Sequence, residues 1–123
     1  MNSDKTALIL FAHGSRDAAW YAPFEALCMR LKSRMPQADV RLAYLEFGKP
    51  ELPDAIADAA QQGLRTVRVV PVFLAAGKHL REDLPLLIEA ARRQHPQLSI
   101  TLAPPIGEDA RMLDAMADVI AGA

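Results

Sequence analysis

Three titratable side chains, His13, Glu46 and His79, lie far apart along the chain, yet each comes at or just after the end of an apolar run. Imidazole and carboxylate are good ligands for divalent first-row metals such as cobalt, iron, nickel and zinc. Neutral imidazole and ionised carboxylate also accept protons near neutral pH. A His/His/Glu set leaves coordination positions open to water or to a substrate donor. Each residue also has a plainer role. A single His at a strand end ordinarily hydrogen-bonds within its loop. Glu46 can pair with Arg68 or a neighbouring Lys, or simply face water at the strand terminus. No local spacing is specific by itself, so only a meeting of the three at one place makes a site.

The elements expected around them alternate between short β-type and longer helical runs. Thr6 to Ala12 is continuously apolar, as in a strand buried on both faces, and His13-Gly14-Ser15-Arg16 is the turn after it. Trp20, Phe24, Leu27, Leu31 and Met35 follow at helical spacing, and Pro36 stops that helix. Asp39 to Phe47 alternates as a second strand with Glu46 near its end. Pro50 to Gln62 is a helix that tolerates Pro50 and Pro53 in its first turn and is closed by Gly63. Thr66 to Phe73 is a β-branched third strand, with Pro71 expected to disturb its ladder. A loop from Leu74 to Lys78 leads to a helix with Leu84, Leu87, Ile88 and Ala91 on one face. Leu98 to Leu102 is a fourth strand, and Leu113, Met116, Ala117 and Ile120 mark a final amphipathic helix.

This alternation predicts an α/β fold: a flavodoxin-like, three-layer domain occupying residues 1–123. Its four-stranded parallel sheet has the order 2-1-3-4, with helices on both faces. Ligands of such sheets bind beyond the carboxyl ends of the strands, which is where His13, Glu46 and His79 fall. His95, in Arg92-Arg93-Gln94-His95-Pro96, belongs to a helix C-terminus at the opposite end and reads as structural or solvated. Ser15 reads as a helix cap or a partner for a ligand carboxylate. Gly14 and Gly77 read as tight turns beside the site.

Composition narrows the function classes. Fourteen Lys+Arg against fifteen Asp+Glu give a net charge of -1, without the basic excess of a nucleic-acid binder. No apolar run approaches a bilayer span, and the short run after Met1-Asn2-Ser3-Asp4-Lys5 does not suit a signal peptide. No membrane partner is expected, and the expected location is the cytosol. The lone Cys28 excludes an internal disulfide framework or a cysteine zinc cluster and reads as a small buried apolar residue. The His-Gly-Ser turn lacks the glycine spacing of a nucleotide loop.

Three stretches carry a resemblance: Leu8 to Arg16 (LILFAHGSR), Ala43 to Leu52 (AYLEFGKPEL) and Val70 to Pro85 (VPVFLAAGKHLREDLP). The chain resembles the short-form sirohydrochlorin chelatases, the small cobaltochelatase type of the class II chelatase superfamily, over about Lys5 to Ile120. The third stretch is the most specific, reading as a buried strand, a Gly-x-His turn and an Asp-Leu-Pro helix start. The resemblance implies a half-chelatase that pairs with itself. It implies that His13 and His79 bind the metal and that Glu46 faces metal and macrocycle. The expected reaction is insertion of a divalent metal (cobalt foremost, or iron or nickel) into sirohydrochlorin, with no organic cofactor. Arg16, Lys78 and Arg81, with Ser15, are candidates to receive the substrate's carboxylates. A small half offers one wall of a cleft, so a homodimer is expected to supply the other. Met112 and Met116, or Trp20 and Tyr21, are candidates to line that cleft or interface, or to pack in the core. A non-catalytic metal or tetrapyrrole carrier would use the same three residues. A flavodoxin-like flavin or signalling module would want a hydroxyl-rich phosphate loop or a phosphoacceptor Asp, and neither is present.

Overall fold

A computed structural model describes residues 5–122. Met1 to Asp4, weighed above as a leader, lie outside the described residues. Four parallel strands, β1 (Thr6–Ala12), β2 (Asp39–Tyr44), β3 (Thr66–Pro71) and β4 (Ser99–Leu102), form one sheet in the order β2-β1-β3-β4. Four helices, α1 (Ala22–Arg34), α2 (Leu52–Gln61), α3 (Lys78–Gln94) and α4 (Ala110–Ala121), follow the strands in turn. This is the expected fold and strand order.

β1 is central and its side chains divide by parity. Ala7, Ile9 and Phe11 enter the larger core, with Ile56, Val67, Ile88 and Ile100, between the sheet and α2 and α3. Leu8 and Leu10 enter a smaller core with Cys28, Val40 and Val70 on the α1 face. Such two-sided burial explains why the run is apolar without alternation. Pro71 leaves the ladder intact. Val72 still donates its N–H to Phe11 O (2.8 Å) on the β1 side. The N–H that Pro71 lacks falls on the β4 side, beyond the last pair, Val69–Leu102.

Several expectations are corrected. β2 ends at Tyr44, so Glu46 and Phe47 belong to a turn and not to the strand. Trp20 lies in a 3-10 turn (Ala18–Tyr21) before α1, because Pro23 at the second helical position favours a start at Ala22. The inward seam of α1 is Tyr21, Phe24, Cys28 and Leu31, while Trp20, Leu27 and Met35 remain substantially exposed. Phe24 and Leu31 keep the expected face, while Tyr21 and Cys28 take the places expected of Trp20 and Leu27, each one residue or about 100° around the helix. The Asp-Leu-Pro segment does not start a helix: α3 begins at Lys78 and runs through Pro85. Lys78 and His79 therefore occupy its first turn.

The expected amphipathic helix α4 exists, but none of its residues is buried. Its main contacts within the chain are with the 3-10 turn Ile106–Glu108. Leu113, Val119 and Ile120 stand in solvent at 54%, 79% and 86% exposure. Of the residues named for a cleft or interface, Met112 and Met116 on α4 and Tyr21 are half-buried. Among the described residues, no helix is long and apolar enough to cross a membrane.

Candidate functional site at the carboxyl edge of the sheet

His13 is the first residue after β1, and its backbone is held from two sides. Its carbonyl accepts the Trp20 indole N–H at 2.7 Å. Two residues on, Ser15 N–H donates to the Tyr21 hydroxyl at 3.0 Å, and that hydroxyl donates back to Ser15 O at 2.6 Å. Ser15 does not cap α1: its hydroxyl accepts from Asp17 N–H, and Asp17 caps the 3-10 turn through Ala19 N–H. The His13 imidazole rests on Phe73, ring centres 4.6 Å apart and tilted by 36°. Its outer side is exposed.

Glu46 reaches the same edge through backbone contact. A Cβ placed on Gly14 would lie 1.6 Å from Glu46 O. Only glycine lets the His13 loop and the Glu46 turn approach this closely. Gly77 has no such need, since its φ is -68° and the space around it is open. Glu46 is exposed, and among the described residues it has no ion pair; the pairing with Arg68 does not form.

His79 is the second residue of α3 and is exposed, as are Lys78 and Arg81. Beside it, Phe73, Ala76, Leu80 and Arg81 line an apolar cavity of about 280 Å³. The Phe73 ring thus lies under His13 and also walls the cavity next to α3. His95 is the C-cap of α3, at the other end of the sheet.

The three candidate ligands therefore share one open edge but do not form a closed cage. Among the described residues no group of three or more His, Cys, Asp or Glu side chains is close enough to hold a metal. Neither the 280 Å³ cavity nor a groove of about 880 Å³ between α1 and β2 is lined by them; both flank the edge. The groove contains Arg16, Tyr21, Tyr44, Phe47 and Lys49. Burial raises the pKa of the Cys28 thiol and the Tyr44 hydroxyl beside it, so both stay protonated near neutrality. Burial lowers that of Arg41, but its bonds to Asp39 and Asp58 outweigh this and fix it as a structural cation.

One feature of the edge was missed in the sequence. Phe47 has φ 61°, and Gly48 N–H donates to Glu46 O at 2.7 Å across it. This is a three-residue turn of the rare positive-φ kind. A bulky residue there costs on the order of 1–3 kcal/mol. The Arg16 guanidinium lies 4.7 Å from the ring centre, which returns about 0.5–1 kcal/mol at an exposed site. Stacking alone does not offset the strain. The close contacts around Gly14 and Gly48 hold the turn instead. A Phe beside Gly48 within a Gly/Pro turn was the available signal.

Comparison with known proteins agrees with this architecture. The CbiX family model matches residues 7–123. The chain belongs to the CbiX family. A CbiX protein of Marinobacter aquaeolei superposes with a TM-score of 0.84 at 39% identity, over 95% of both chains. A sirohydrochlorin cobaltochelatase of Methanocaldococcus jannaschii is 36% identical over 72% of this chain and 62% of its own length. The chloroplastic sirohydrochlorin ferrochelatase of Arabidopsis thaliana is 30% identical over 95% of this chain but only 52% of its own length. The chain thus spans about half to two-thirds of these two curated relatives.

Proposed function

We propose that this CbiX-family chain is a sirohydrochlorin metal chelatase that inserts a divalent metal, cobalt foremost and iron or nickel as alternatives, working as a homodimer in the cytosol. The supporting observation is that His13 and Glu46, in the connections after β1 and β2, and His79, in the first turn of α3 after β3, all fall at one exposed edge. The family membership and the relatives' names select this chemistry among those that His and Glu can perform.

Insertion exchanges one divalent metal ion for two pyrrole protons. The metal must shed part of its water shell, two N–H protons must leave, and the ring must bend to present its nitrogens. His13 and His79 hold the metal through imidazole nitrogens. Glu46 or one of the histidines takes the protons. A metal held by few protein ligands passes readily to a ring with four nitrogens. The exposed Arg16, Lys78 and Arg81 receive carboxylates, with arginine offering a bidentate fork. The reaction needs no redox change, and no organic cofactor is invoked.

One such edge is a single wall. A second copy supplies the opposite wall, and the exposed apolar residues of α4 give it a surface to pack on.

The test is metal insertion followed by absorbance, with cobalt, iron and nickel each set against its uncatalysed rate. Acceleration for at least one of the three is expected. If all three proceed at the spontaneous rate, the proposal fails.

A further inference from the structure

We infer that Phe47 and Arg16 form a docking platform for the flat face and acidic rim of the tetrapyrrole. This rests on the chelatase reading above and adds a substrate-positioning residue, Phe47, to it. Four observations converge. The ring of Phe47 is 56% exposed and belongs to neither apolar core, so it does not serve internal packing. Its backbone takes a positive φ of 61° where glycine would be unstrained, and that conformation projects the aromatic out of the turn next to Glu46. The Arg16 guanidinium is stacked over the ring at 4.7 Å. Arg16 takes part in none of the ion pairs or side-chain hydrogen bonds found among the described residues, which leaves its N–H groups available to an incoming anion.

Both side chains line the groove of about 880 Å³ that opens beside the His13 loop, with Lys49 as a further cation. Aromatic faces favour offset contact with another conjugated ring. A stacked guanidinium directs its donors outward, where they meet carboxylates two at a time. The ligand matching this pair is large, planar and edged with acids. A small anion would need the arginine alone, and a neutral aromatic would need the phenylalanine alone.

The experiment compares wild type with Phe47→Leu, Phe47→Tyr and Arg16→Gln, using metal-free sirohydrochlorin binding and steady-state cobalt insertion. Phe47→Leu keeps an apolar side chain of similar bulk and should raise both the ring's Kd and its KM about tenfold. Its kcat and the KM for cobalt should change less than about twofold. Phe47→Tyr should restore ring affinity. Arg16→Gln should weaken binding by a similar factor at low salt and by less at high salt. Unchanged ring affinity in Phe47→Leu, a loss confined to kcat, or a change in subunit association without a change in ring affinity would each overturn the inference. If wild type itself neither binds nor metallates the ring, the chelatase reading is what has failed.

Discussion

His13, Glu46 and His79 stand out in the sequence only as a set, because a single His or Glu at a strand end has ordinary structural uses. Their geometry was not legible. Nothing in the sequence showed that Gly14 admits Glu46 O to the space a Cβ would fill, or that His13 would rest on Phe73. Phe47 escaped notice because its importance lies in a backbone angle, and type and spacing do not report one. His13→Ala and His79→Ala should each lower cobalt insertion by about a hundredfold or more. Both histidines are exposed, so the variants should melt close to wild type. Wild-type insertion rates in both variants would refute the assignment.

At the scale of elements, the strands were read best. β1 is apolar because both of its faces are covered, whereas β3 buries Val67, Val69 and Pro71 on one face and leaves Thr66 and Arg68 exposed on the other; the parallel order follows from alternation with helices. The helices were read less well. A hydrophobic stripe shows that a face exists but not its rotation, as α1 demonstrates, and not what it packs on, as α4 demonstrates. The start of α4 carries its own prediction. Asp109 caps the helix by accepting Arg111 N–H at 2.8 Å, and it receives the Arg111 guanidinium at 3.0 and 2.9 Å. These hydrogen bonds lower the Asp109 pKa to about 2. A carboxylate depressed in the folded state adds stability that is present above its unfolded value, roughly 3.9. That contribution is lost as pH falls toward about 2. The first turn of α4 should therefore hold at pH 5 and loosen between roughly pH 4 and 2, as followed by amide exchange. Arg111→Ala should return the Asp109 midpoint toward the ordinary carboxylate range, read by NMR titration. An unchanged midpoint would show that the pairing does not act in solution.

At the scale of the whole molecule, the chain has two packed cores, one on each face of the sheet, and two uncovered surfaces: an open ligand edge and α4. The proposed second copy would cover both. Scattered exposed apolar residues are ordinary, but α4 buries none of its residues and exposes Leu113, Val119 and Ile120. Ile120→Glu should consequently shift the protein from dimer to monomer in sedimentation at micromolar concentration and lower insertion activity with it. Since the residue is 86% exposed within the chain, the fold of each protomer should be unaffected. A variant that stays dimeric, or a fully active monomer, would separate α4 from the second wall of the cleft.

Catalytic insertion of metal into a tetrapyrrole by residues on one sheet edge is decided by counting turnovers. Purified protein at substoichiometric concentration, supplied with cobalt and excess sirohydrochlorin, should metallate many rings per chain, well above the spontaneous background. A plateau at about one ring per site would instead describe a carrier and contradict catalytic insertion.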